Sequence, residues 1–428
     1  MSPITVALVL AVTTTTLAKI FEMHLERVES VMIQMLRNRR WAGRVRQRRR
    51  MTLGNTSTDP FLRSQSLTYY YGSEYLGNIT IGTPEQRFQV VVDTGSADFW
   101  VTDYSCVGDE PEVCEHSLCD AGLVCVVFCP ESTCCTKNDV EGRKNYCKGR
   151  RLFDSRKSDT YIKADGTWRI MYGIESVRGF CGNDTVRLGV DSERLIVPGT
   201  RFGQANKLSV FFSEKPVDGV LGLAFYLLSA TNNVPPFQRA AELGLVDPIF
   251  TVYLEKVQQL DGKAHGGLVT YGGFDSQHCS ETITYENLTA ATYWQFKMKS
   301  VTAGDFHAAF PWKAITSTST SFINAPVIMA EKVAKAVGAV YHKEEELFYI
   351  DCDLKPTISL GIGDSEFFID SSNLVLKIED GRCLLAIFGD QNYGYGPNWT
   401  LGTPFIRQYC NIHDMGKERI GFAEAKHK

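Results

Sequence analysis

The sequence predicts an all-β fold, on three observations. From Leu67 onward, short alternating or apolar runs are broken by Gly, Asn and Pro about every eight to twelve residues, the texture of strands joined by tight turns. The composition, with Gly 36, Tyr 18 and Phe 24, suits pleated strands and turns. Helical patterns are few; the best are VPPFQRAAELGLV (234–246) and APVIMAEKVAKAVGAVY (325–341). With 44% hydrophobic and 22% charged residues over 428 positions, the chain has globular composition and room for two or three domains.

The first 18 residues carry no charge, and an apolar run from Ile4 to Val12 precedes Thr16-Leu17-Ala18. This is the pattern of a cleaved signal peptide rather than a buried strand, and it predicts a secreted protein. The run is too short to span a bilayer, and no other stretch is long and apolar enough, so no membrane span is expected. Between Ile20 and Leu36 apolar residues recur near helical spacing, which predicts one or two amphipathic helices over 19–40. Arg44 to Arg50 follow as a basic run, read as an exposed processing site in preference to a merely solvated face.

The charge is uneven. Residues 19–64 hold 11 Lys/Arg against four acids, a net +7, which leaves −11 on residues 65–428 within a total of −4. A basic head that neutralises its own acidic body explains both signs, so no nucleic-acid partner is expected. Thirteen cysteines fit an oxidising compartment, and eight of them crowd between Cys106 and Cys147. Their spacing is irregular and Cys134-Cys135 are adjacent, which favours disulfides over a zinc site; neither metal nor cofactor is expected. The odd total leaves at least one thiol free or paired between chains. Asn55, Asn183 and Asn287 are expected glycan acceptors, whereas the sequons at Asn78 and Asn398 sit in strand-like contexts.

An apolar run, Val90-Val91-Val92, ends in Asp93-Thr94-Gly95-Ser96. It follows Tyr75-Leu76-Gly77-Asn78-Ile79-Thr80-Ile81-Gly82-Thr83-Pro84 and precedes Phe99-Trp100-Val101. Further on come Met171-Tyr172-Gly173, then Val217-Asp218-Gly219-Val220-Leu221-Gly222, Tyr293-Trp294-Gln295-Phe296 and Asn398-Trp399-Thr400-Leu401-Gly402. In this order the motifs resemble the pepsin-like aspartic peptidases over roughly residues 69–425, and the cysteine-dense insert is similar to that of secreted nematode members.

The resemblance implies two β-rich lobes related by a pseudo-twofold, with a cleft between them that takes a peptide or protein ligand. It implies a propeptide over 19–64 that covers the cleft, an N-terminal lobe over 65–246 carrying the insert 106–147, and a C-terminal lobe over 247–428, in a monomer. It places a disulfide between Cys352 and Cys383. It assigns Asp93 as one catalytic carboxylate and substrate contacts to Gly95, Ser96, Tyr172, Gly173, Thr318 and Thr320, with Tyr172 on a flap over the cleft.

Such peptidases need two carboxylates. Two that lie close together share one proton, because both cannot ionise. The ionised partner takes a proton from water while the protonated partner polarises the scissile carbonyl. The second aspartate should follow Trp312-Lys313-Ala314-Ile315, yet the sequence reads Thr316-Ser317-Thr318-Ser319-Thr320-Ser321-Phe322. Ser317 stands in the aspartate's place and Ser319 in a glycine's. Shifting the register finds no substitute: Asp305 lies twelve residues upstream and the next acid is Glu331. A serine hydroxyl can donate a hydrogen bond and hold a water, but is no carboxylic acid.

Three readings follow, in order of preference. The first is an inactive or strongly impaired endopeptidase homologue that keeps its peptide-binding cleft. The second is a weakly or fully active secreted acid endopeptidase using Asp93, with a water held by Ser317. The third is a secreted interaction protein that acts through its cysteine-rich insert.

Overall fold

The computed structural model describes residues 19–54, 74–108, 147–172, 175–190, 192, 194–209, 212, 217–256, 264–390 and 396–427. The expected leader, most of the insert, Asn55 and Gly173 lie outside these residues, as does the side chain of Tyr172.

Strands dominate, as the alternation requires. The largest sheet has thirteen of them and runs through both halves of the chain. At one end lie Thr284–Asn287, Arg419–Glu424, Tyr409–Asp414, Ile249–Leu254 and Ala264–Tyr271. At the other lie Tyr75–Ile81, Gln86–Asp93, Gly219–Gly222, Phe99–Gly108, Leu195–Leu208, Glu175–Leu188 and Ile162–Tyr172. An eight-stranded sheet and a four-stranded sheet complete the second half.

The strand joining the two ends of the large sheet comes from the head of the chain. Phe21–Arg27 pairs antiparallel with Ala264–Tyr271 on one side and with Tyr75–Ile81 on the other. Here the helix expected over 19–40 is corrected. Phe21, Met23 and Leu25 are buried while Glu22 and His24 are exposed, a period of two that fits a strand. The helix is confined to Val31–Arg37, where the Ser30 hydroxyl caps it by accepting the Ile33 N–H at 3.3 Å. A second helix, Trp41–Gly54, follows.

This head packs into both halves. Val31, Met32, Ile33, Leu36, Trp41 and Val45 share an apolar cluster with Leu76 and Trp100 from the first half and Phe322, Leu384 and Phe388 from the second. The Trp41 indole N–H donates to the Glu345 carbonyl at 2.9 Å. Arg39 pairs with Glu379 and Arg49 with Glu346, each at 2.7 Å.

A three-strand unit occurs twice. In the first half Gln86–Asp93 runs parallel to Gly219–Gly222, which is antiparallel to Phe99–Gly108. In the second half Phe306–Thr316 runs parallel to Trp399–Leu401, which is antiparallel to Ile323–Pro326. Each unit therefore holds one loop, 93–98 or 317–322, against the end of a threading strand. A glycine at that end makes the fit possible: a Cβ on Gly222 would lie 2.5 Å from the Ala97 carbonyl carbon, and one on Gly402 would lie 2.2 Å from the Phe322 oxygen.

Three disulfides are formed among the described residues: Cys106–Cys147 at the base of the insert, Cys352–Cys383, and Cys279–Cys410. No local motif marks the last, whose halves are 131 residues apart. Cys181 is a buried thiol beside Asn233.

Candidate active site

The two loops meet at their tips. The Thr94 N–H donates to Thr318 Oγ1 at 3.1 Å, and the Thr318 N–H donates to Thr94 Oγ1 at 3.2 Å. Each hydroxyl then donates to the strand entering the opposite loop, Thr318 Oγ1 to the Val92 carbonyl at 2.6 Å and Thr94 Oγ1 to the Thr316 carbonyl at 3.2 Å. Both threonines are almost wholly buried. These four bonds form a reciprocal lock that fixes the separation of the residues just before each threonine, Asp93 and Ser317.

Asp93 is 8% exposed and Ser317 1% exposed. Asp93 Oδ1 accepts the Gly95 N–H at 2.8 Å, two residues ahead. Ser317 Oγ accepts the Ser319 N–H at 3.3 Å, also two residues ahead. The hydroxyl of Ser317 thus takes the structural part that one carboxylate oxygen takes in the other loop. Ser317 Oγ donates to Asp93 Oδ1 at 3.1 Å and lies 2.9 Å from Ser319 Oγ. Across the lobe boundary runs a short chain of one carboxylate and two hydroxyls.

Gly95 sits against this chain. A Cβ there would fall 2.8 Å from Ser317 Oγ and 3.1 Å from Asp93 Oδ1, so only glycine lets the loops approach so closely. Ser96 is half-buried, and its carbonyl accepts the Ala224 N–H at 2.9 Å. Thr320 is fully buried; its hydroxyl accepts the Phe322 N–H at 3.3 Å and its carbonyl the Thr403 N–H at 2.8 Å. Backbone at Tyr172 ends the strand Ile162–Tyr172. Trp100 is fully buried beside Trp168 and Phe212. Of the other predicted positions, Asn287 is exposed at a strand end and Asn183 is half-buried within a strand.

Two neighbours escaped the sequence. Tyr293 lies close enough to Asp93 for the carboxylate, together with burial, to push its phenol upward, burial being the larger cause. Glu74 is buried beneath the second loop, where it accepts the Ser321 hydroxyl at 2.9 Å. It also pairs with Arg27 at 3.1 Å and Arg407 at 3.4 Å. Burial would raise the Glu74 carboxyl, but the two guanidiniums and the hydroxyl outweigh it and hold the group below the usual carboxylate range. Its partners come from residues far apart in the chain, so no motif could have marked it.

In chemical terms the site offers one base and no facing acid. Asp93 can accept a proton from a water; Ser317 and Ser319 can orient that water. Neither hydroxyl has the acidity to exchange a proton with Asp93 as a second carboxylate would. Among the described residues no group of three or more His, Cys, Asp or Glu comes together as a metal cage.

Comparison with known proteins gives a consistent picture. A family model described as eukaryotic aspartyl protease matches residues 74–425. Aspartic protease 2 of Necator americanus is 44% identical over 413 residues, covering 96% of each chain. Aspartic protease 6 of Caenorhabditis elegans is 38% identical over 367 residues, 85% of each chain. Pepsin A of Gallus gallus is 31% identical over 377 residues, 86% of this chain and 88% of its own. With a doubled strand–loop unit, an Asp-Thr-Gly loop at their junction and relatives along nearly its full length, the chain belongs to the pepsin-like aspartic peptidase family.

Proposed function

We propose that this family member is an endopeptidase homologue whose hydrolytic activity is lost or strongly impaired, and whose cleft still receives a peptide or protein ligand. The observation that carries the reading is the hydroxyl of Ser317, 3.1 Å from Asp93 Oδ1, at the place of the second carboxylate. With Asp93 ionised, a water can be deprotonated, but no carboxylic acid stands opposite to polarise the scissile carbonyl by giving it a proton. Loss of such acid–base help costs about 10²–10⁴-fold in rate. The lock between Thr94 and Thr318 does not depend on the missing carboxylate, which supports retention of the cleft.

Residues 19–64 act as a propeptide in this reading. Their described part bridges both halves through an apolar cluster and pairs Arg39 with Glu379 and Arg49 with Glu346 of the second half. The protein is secreted as a monomer after removal of residues 1–18, with Asn287 as an exposed glycan acceptor.

A second reading has one observation in its favour. The chain Asp93–Ser317–Ser319 can hold a water against the base, which would give slow acid hydrolysis on one carboxylate. One experiment separates the two. The processed protein is offered a denatured protein substrate across acid pH, and its binding of a statine-type peptide mimic is measured in parallel. Binding without turnover is the expected result; turnover that disappears in Asp93→Asn would sink the proposal in favour of the second reading.

A further inference from the structure

His24 lies on the head strand Phe21–Arg27, and His265 lies 241 residues away on Ala264–Tyr271. The two strands pair antiparallel, with a register slip between Leu25 and Glu26. Both residues are exposed. His24 Nδ1 and His265 Nε2 are 3.3 Å apart, with ring planes inclined at 59°. The other nitrogen of His265, Nδ1, lies 2.8 Å from Glu255 Oε2. The pair faces a cavity of about 410 Å³ that Leu25, Asn78 and Val190 also line.

We propose that His24 and His265 form a binding site for a tetrahedral divalent metal ion, zinc by its geometry, which clamps the head strand to the body. Two nitrogens each about 2.0–2.1 Å from a tetrahedral ion stand roughly 3.3 Å apart, the separation found here. Without an ion the same 3.3 Å contact serves as a long hydrogen bond between the two rings, so the site is formed before metal arrives. Imidazole suits this ion. The Glu255 carboxylate accepts a proton-bearing Nδ1, which leaves the Nε2 lone pair of His265 pointing to the shared position, the usual support for a metal-bound histidine.

Glu26 is the carboxylate next to the pair, and it is held by the Asn78 and Gln89 side-chain amides at 2.8 Å each. The ion therefore has two protein ligands, with water completing its shell; such a site has fewer ligands than a structural zinc centre and binds more weakly. No such site was expected from the sequence, since nothing in it brings positions 24 and 265 together. An ion that binds only the docked strand shifts the release equilibrium by about 100-fold when present at 100 times its dissociation constant. The proposal stands apart from the question of Ser317.

The test is a calorimetric titration of the full chain, head included, with zinc chloride. His24→Gln, His265→Gln and Glu255→Gln run beside it. One saturable equivalent is expected in the native protein, absent from either histidine variant and about 10–100-fold weaker in Glu255→Gln. Hydrogen exchange provides a readout that needs no variant: amides of residues 21–27 should exchange more slowly with saturating metal. Identical titrations of the native protein and both histidine variants, or exchange at 21–27 untouched by metal, would overturn the proposal.

Discussion

At the scale of single residues, the site divides into parts that set geometry and parts that do chemistry. Thr94 and Thr318 set geometry, because each is buried and engaged on both its hydroxyl and its N–H. Thr318→Val removes one hydroxyl and leaves the Thr94 N–H and the Val92 carbonyl without that partner. Unsatisfied buried groups cost about 1–3 kcal/mol each, so chemical denaturation should show a loss of about 2–6 kcal/mol. Glu74 makes a stronger case. Glu74→Gln would leave Arg27 and Arg407 without their shared counter-charge, at a cost of about 3–5 kcal/mol in the same measurement. A variant that unfolds at the native denaturant midpoint would refute this role. The residues that sequence could name were those inside local motifs. Asp93 was legible because its flanks are long, and Ser317 because Ala314, Ile315 and Phe322 fix the register. Glu74 was not, since what defines it is proximity in space; Tyr293 stands in a motif, but its nearness to Asp93 does not follow from that motif.

At the scale of elements, periodicity decides. A period of two gave the body strands, and the same period in Phe21–Arg27 was masked by the helical spacing of the residues that follow. Docking between two strands, which propensity cannot express, settles that segment. The strand Tyr409–Asp414 carries a feature with a pH consequence. His413 is fully buried, stacked on Phe250 with ring centroids 4.3 Å apart and edge-on to Trp294. Burial pushes its pKa down to about 3, outweighing the opposing backbone contacts with Asn411 and Phe250. The unfolded chain binds a proton near pH 6.5 that the folded chain refuses. Its contribution to stability is therefore full above pH 6.5 and is lost as pH falls toward 3, by about 1.4 kcal/mol per pH unit. His413→Phe should keep the stack and flatten this part of the curve. Thermal unfolding at pH 7 and pH 4 checks it: the variant's melting point should fall less on acidification than the native protein's, and an equal fall would exclude His413 as the cause.

At the scale of the whole molecule, two repeated strand–loop units place their tips together, and the head of the chain lies across both halves. The partly exposed pairs Arg39–Glu379 and Arg49–Glu346 are each worth about 0.2–1 kcal/mol, so the shared apolar cluster and the buried Arg27–Glu74 pair hold the head more than these two pairs do. The family was legible from the order of the motifs; the Cys279–Cys410 bridge and the central place of the head strand were not, because both join distant segments. The account turns on one statement, that the architecture for two carboxylates is intact and only the second carboxylate is missing. Ser317 Oγ and Ser319 Oγ are 2.9 Å apart, so a carboxylate at 317 needs the space that Ser319 takes. The direct measurement is acid endopeptidase turnover by the processed double variant Ser317→Asp, Ser319→Gly beside the native protein. The account predicts that the double variant gains at least about 10²-fold over the native rate and loses it again on Asp93→Asn. A native protein that already turns over as fast as the double variant would contradict it.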